Sequence, residues 1–283
     1  MKLGYLTRFT EDELRLAASI GYDGLEVHAK SWPPEVFTSE VERKKAVEVA
    51  KELQSRYGVT VTAVSFYDAT YKPPVERIAD FRKVIQFTSD LGVPVVAAMS
   101  AGDPEKSLEE NIPIFKETFG EIAKICEDMG VKIAFENWPA VSGLPAKSKN
   151  FGFHPTAWEL MFDAVDSPAL GLEFDPSHLV WQSIDYIAAV KAFGARIHHV
   201  HLKDTEIMHD VLACKGFFGR GWWRYRIPGF GVIDWAGFVS ALREVGYNGG
   251  AAIEHEDPVF SGERRVEGLK LGYNCLRPLF VVD

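Results

Sequence analysis

The sequence predicts an α/β fold, a closed (β/α)8 TIM barrel forming a single domain over residues 1–283, and three observations predict it. Short apolar or β-branched runs alternate with longer stretches of helical spacing from end to end, and there are eight of each. A phrase in which glycine leads within a few residues into an apolar strand recurs as GYDGLEV, GVTVTAV, GVPVVAA, GVKIAFE and GYNGGAAIE. No glycine-rich GxGxxG follows the first strand, which removes the main support for an open nucleotide-binding sheet. Strict alternation favours a parallel sheet, and eight units favour its closure into a barrel.

The elements run as follows. The first strand is KLGYL at 2–6, and the helix after it, 10–20, stops at Gly21. The second strand, GLEVH at 24–28, leads to a helix at 40–57 that stops at Gly58. The third, VTVTAVS at 59–65, is followed by a helix at 74–91 and Gly92; the fourth, PVVAAM at 94–99, by a helix at 108–129 and Gly130. The fifth, VKIAFE at 131–136, precedes a helix at 155–165, and the sixth, GLEFD at 171–175, a helix at 183–193 ending at Gly194. The seventh is RIHHVHL at 196–202, separated by an unusually long segment from a helix at 235–245 and Gly246. The eighth, GAAIEH at 250–255, is closed by a helix at 262–276. Glycine after a helix supplies the left-handed residue that ends it.

Composition narrows the function classes. Apolar residues make up 47% of the chain and charged residues 25%, the balance of an ordered globular protein with a large core. A formal net charge of −9, with no run of Lys or Arg, predicts that nucleic acid is not a partner. Cys126, Cys214 and Cys275 are too far apart for a structural zinc site or a redox pair and are expected to be reduced thiols. No apolar run reaches the length of a membrane span and the first residues lack a signal-peptide core, so a cytoplasmic protein with no membrane partner is expected.

In a barrel of this type the C-terminal ends of the strands form the active face. Four consecutive strands end there in a metal-ligating residue: Glu136 on the fifth, Asp175 on the sixth, His201 on the seventh and Glu254 on the eighth. Buried carboxylates are normally paired or bound to metal, so four together point to a shared divalent cation rather than to four separate salt bridges. Three carboxylates and one imidazole suit manganese first, with magnesium, cobalt or zinc as alternatives. Alternation along the seventh strand points His199 inward with His201 and His198 toward the helices; His201 is taken as the ligand and His199 as a hydrogen-bonded core residue. His178, three residues after Asp175, is placed to reach the same pocket as a substrate ligand. Lys203 and Asp204 are candidates for orienting a substrate hydroxyl, or else form a surface pair. Glu26 and His28 line the pocket if they point inward. Trp32, Phe66 and Trp138 follow strands and offer ring faces of the kind that line sugar sites, or else pack at the rim.

The motifs FEN at 135–137, DPSH at 175–178, HLKD at 201–204, RIPGFGVIDW at 226–235 and IEHED at 253–257 give the chain a resemblance to the xylose isomerase-like barrel superfamily, in its sugar phosphate isomerase and epimerase branch. The resemblance covers nearly the whole chain and is strongest from Ala134 onward. It implies a metal held by Glu136, Asp175, His201 and Glu254, with Glu136 and Glu254 also acting as the catalytic acid and base, and a substrate contact from His178. It also implies an arginine soon after the histidine of the seventh strand. The segment 205–225 interrupts that register, leaving Arg224 or Arg226 to fill the role, with Arg226 carried as the substrate-binding candidate. The segment itself is rich in aromatics and glycine, and is expected either to close over the mouth as a lid or to meet a second subunit of a homo-oligomer.

The resemblance therefore implies a sugar isomerase or epimerase that moves a proton through an enediolate on a ketose, keto-sugar or related polyol. A lyase or dehydratase of the inosose type uses the same chemistry up to expulsion of a hydroxyl and stays open. A hydrolase resembling abasic-site endonucleases would need further histidines and a cationic face, neither of which the sequence shows. A barrel that binds sugar without catalysis would be favoured only if one of the two glutamates were replaced, and both are present.

Overall fold

The computed structural model describes residues 1–142 and 147–280 of the predicted 1–283 span. Eight parallel strands close into one barrel: Lys2–Thr7, Gly24–His28, Thr60–Phe66, Val95–Ala98, Lys132–Glu136, Leu170–Phe174, Ile197–His201 and Gly250–Ile253. Each pairs with its neighbour in sequence and the first closes on the eighth, with Lys2 opposite Gly250 and Tyr5 opposite Ile253. This is a single (β/α)8 barrel domain, as the alternation predicts.

Helices Glu11–Ile20, Glu40–Tyr57, Pro74–Leu91, Leu108–Met129, Pro155–Ala164, Tyr186–Phe193, Trp235–Glu244 and Arg265–Leu276 surround it. Local chemistry fixes their starts. Thr10 and Ser39 each accept a backbone N–H from the first turn, and Ser107 with Glu110 forms a reciprocal capping box. The predicted helix starts at 183 and 262 move inward because Asp185 caps the sixth helix and a 3-10 turn, Gly262–Arg264, precedes the eighth. Gly21, Gly58, Gly92, Gly130 and Gly246 have positive φ, as a helix stop requires. Gly194 does not: its φ is −52°, and it is needed because a Cβ there would lie 2.4 Å from Cβ of Val245.

The segment after the seventh strand is an ordered excursion rather than a plain loop. Asp204–Ile207 pairs antiparallel with Trp223–Arg226, and a short helix, His209–Lys215, lies between them. Asp204 anchors this hairpin to the barrel. Its fully buried carboxylate accepts from the backbone N–H of Thr205, Gly229 and Ile233 and from Nε1 of Trp235. That spends its acceptor capacity on the fold, which corrects the reading of Asp204 as a residue for substrate hydroxyls.

The main core lies between the sheet and the helices, where Phe81, Phe115, Phe119 and Phe135 form a connected set of ring contacts. Inside the barrel the filling is unusually polar. Glu26, Glu173, His199 and His201 are all fully buried there, and Thr62 reaches Nε2 of His199 at 3.2 Å. Gly250 makes the room, since a Cβ at that position would come within 2.8 Å of Nε2 of His199 and 2.5 Å of Cβ of Thr62.

Candidate metal centre

The residues that gather at the C-terminal mouth come from four consecutive strands. Glu136 is the last residue of the fifth strand, Asp175 caps a short helix, Pro176–Val180, directly after the sixth, His201 ends the seventh and Glu254 follows the eighth. One donor atom from each lies within 4.8 Å of the others. Oδ1 of Asp175 accepts from the N–H of Ser177, which fixes the carboxylate and leaves Oδ2 turned toward the cluster.

Two donor atoms in this cluster are buried without a hydrogen bond: Oδ2 of Asp175 and Nδ1 of His201. The nearest nitrogens to Oδ2 are Nε2 of His178 at 3.3 Å and Nζ of Lys203 at 3.4 Å, and Nδ1 of His201 lies 3.2 Å from Oε2 of Glu254, all outside hydrogen-bond alignment. A buried polar atom left unsatisfied is costly, and two facing one point are what a cation site leaves when only protein is considered. Three carboxylates and one imidazole fit a divalent cation with coordination positions to spare.

Two further side chains crowd this point. Nζ of Lys203, fully buried, is 2.5 Å from Oε2 of Glu254 and 3.0 Å from Oε2 of Glu256. His178 sits with Nε2 at 2.9 Å from Oε1 of Glu136 and Nδ1 at 2.7 Å from the hydroxyl of Tyr225, a residue of the hairpin. The ring of Tyr225 also lies under the Lys203 ammonium, 4.3 Å from Nζ to its centroid. The hairpin thus covers one side of the cluster, with Trp223 stacked on Trp181 behind Tyr225.

The charges divide sharply. Burial and the nearby Glu254 push the Glu136 carboxyl up to about 8. Burial alone would raise Glu254 too, but Lys203 and His201 outweigh it and hold that carboxyl well below its usual range. Burial and the Lys203 charge lower His178 to about 3, so its ring is neutral. Burial also opposes the charged form of His201, yet Glu173, Glu26 and Glu254 together raise it well above its ordinary value.

Beneath His201 lies a second layer. The Tyr67 hydroxyl is 2.6 Å from Oε1 of Glu26 and 2.5 Å from Oε2 of Glu173, while Oε1 of Glu173 is 2.9 Å from Nδ1 of His199. One hydroxyl hydrogen serves one acceptor, so one carboxyl must carry its own proton. Burial and the charge of Glu26 make it Glu173, which is raised well above the carboxylate range, whereas the two imidazoles overcome burial to keep Glu26 low.

The remaining predicted residues are placed as follows. His28 is half-buried, bonded to Oγ of Ser65 at 3.1 Å, and lines a cleft of about 300 Å³ with Arg8, Lys30 and Tyr67. Trp138 is 41% exposed and lines an adjoining groove of about 580 Å³ with Lys30, Tyr67, Tyr71 and Lys149. Trp32 packs against Phe9 and Phe87 instead, as rim packing. Arg226 is bound through Nε to Asp257 at 2.8 Å and through Nη1 to Glu206, so its guanidinium is engaged in holding the hairpin. Arg224 is likewise taken up by Glu206, at 2.7 Å. Sequence reasoning passed over Glu173, Tyr67 and Tyr225. The alternation applied to the seventh strand, extended to the sixth, points Glu173 inward with Asp175. Nothing in the sequence marks Tyr225, which arrives only because the hairpin folds back.

A family model described as xylose isomerase-like TIM barrel matches residues 14–279, and the chain belongs to that family. Among its relatives, the uncharacterized protein YfiH of Bacillus subtilis is 30% identical, over 95% of this chain and 98% of its own. An inosose isomerase of Bacillus velezensis is 27% identical over 86% of this chain and 82% of its own, and an inosose dehydratase of Bacillus thuringiensis 26% over 68% and 67%. The solved structure of the IOLI protein with a binding zinc atom superposes with a TM-score of 0.74 at 21% identity, covering all of both chains, a likeness of fold. Among the described residues no helix is long and apolar enough to cross a membrane.

Proposed function

We propose that this chain is a divalent-cation-dependent sugar isomerase or epimerase that transfers a proton on a ketose, keto-sugar or related polyol. The observation that carries this reading is the convergence of Glu136, Asp175, His201 and Glu254, with Oδ2 of Asp175 and Nδ1 of His201 buried and unbonded at its centre. These four residues would hold a divalent cation, manganese by the hardness of the donors, which would supply positive charge where the enediolate develops. Glu254 and Glu136 remove and return the proton. His178, neutral and fixed between Glu136 and Tyr225, binds a substrate hydroxyl, and Trp138 and His28 line the approach. The hairpin shields the reacting carbon from water.

A second reading, dehydration of an inosose or keto-sugar, is supported by the inosose dehydratase among the relatives, with the buried Lys203 ammonium, 2.5 Å from Glu254, available to bind the hydroxyl that departs.

Both are tested by incubating the protein and manganese with ketoses, keto-glycosides and inososes in heavy water. Deuterium at the reacting carbon with retention of all oxygens marks isomerisation or epimerisation, and loss of one water marks dehydration. Glu136→Gln and Glu254→Gln should each lower kcat by at least about 10³-fold with unchanged circular dichroism. Product that carries no solvent deuterium, or variants that turn over normally, would remove the proposal.

A further inference from the structure

We infer that Glu26 is the residue that positions His201 for cation binding, an inference that rests on the metal reading above and assigns a role that the four ligands do not contain. The imidazole has two nitrogens in different surroundings. Nδ1 faces Asp175 and Glu254, is fully buried and makes no hydrogen bond. Nε2 faces into the barrel and lies 2.8 Å from Oε2 of Glu26. A nitrogen that binds a cation must present its lone pair, so the ring hydrogen has to reside on the other one. A carboxylate accepting that hydrogen selects the tautomer, fixes the ring plane and makes the ligand nitrogen more basic.

Among the described neighbours of Nε2, only Glu26 fits this task. Oε1 of Glu173 is 3.4 Å away and is already engaged with Nδ1 of His199 at 2.9 Å. The Tyr67 hydroxyl is 3.3 Å away and carries shorter contacts to both glutamates. Glu26 is itself held rigidly. It is fully buried in the middle of the second strand, where it pairs with Leu6 on one side and Ala63 on the other, and its remaining oxygen accepts from Tyr67 at 2.6 Å. The chain therefore builds the ligand from two strands at once, with the imidazole on the seventh and its orienting carboxylate on the second.

The test is zinc affinity, read on the full chain by competition with a chromophoric chelator, for wild type, Glu26→Gln and Glu173→Gln. Both substitutions keep the volume in one buried network, so a merely structural role would move both alike. Glu26→Gln should weaken zinc binding about 10- to 100-fold, while Glu173→Gln should lose clearly less, because Oε1 of Glu173 lies 3.4 Å from Nε2 and is engaged with His199 instead. Nitrogen-15 spectra of the histidine rings in the zinc-loaded wild type should show His201 with the hydrogen on Nε2 and the metal shift on Nδ1. Equal losses in the two variants, wild-type affinity in Glu26→Gln, or a His201 metallated on Nε2 would each overturn the inference while leaving the metal reading intact. A wild type that binds no zinc would remove both.

Discussion

Glu136 shows at the level of one residue what cation binding must do. Its carboxyl is pushed up to about 8, because burial and the charge of Glu254 both oppose ionisation, so below pH 8 the metal-free protein holds it protonated. A cation bound there would need the ionised form and would expel that proton, together with the one that the surrounding carboxylates keep on His201. Affinity should then rise as pH rises through 8. Calorimetry at pH 7 in buffers of differing ionisation enthalpy should register roughly one to two protons released per cation, and a buffer-independent heat would contradict the assignment. The four ligand positions were legible in the sequence because each stands where an apolar strand meets a polar loop. The layer below was less so: Glu26 was noticed only conditionally, since its direction depends on register, and Tyr67 lies beyond the end of its strand, where alternation says nothing.

Among elements, the hairpin after the seventh strand is the least standard part of the barrel and the one whose attachment is most concentrated. Asp204 takes four donors from three places along the segment it closes, with all of them buried or partly buried. Asp204→Ala leaves those donors unpaired and should destabilise the protein by at least about 3 kcal/mol, seen as a lower denaturant midpoint; a change below about 1 kcal/mol would show that the hairpin is held by other contacts. The strands and helices of the barrel were readable because each repeats one pattern, a short apolar run, an amphipathic run and a stopping glycine. The hairpin breaks the pattern. Its two paired runs, DTEI and WRYR, are short, polar and separated by fifteen residues, so only the tertiary fold reveals that they meet. The same reason hides the engagement of Arg226 with Asp257, which places that guanidinium in the support of the hairpin.

For the whole molecule, the four cluster residues stand at the ends of four consecutive strands that span half of the barrel, so a cation bridging them would tie distant parts of the chain together. Binding only to the folded state stabilises it, by about 2.7 kcal/mol at a hundredfold excess over Kd. Manganese or zinc at that excess should raise the melting temperature by several degrees over the chelator-treated protein, and identical melting curves would argue against a cation in this cluster. Lys203 has a bearing on the life of the molecule before any such encounter. Its ammonium, 2.5 Å from Glu254 and 3.4 Å from Asp175, lends the acidic mouth a counter-ion carried in the chain's own covalent structure. A newly synthesised copy can accordingly collapse and close its cylinder with the charge of that mouth already partly balanced, whether or not a cation is at hand.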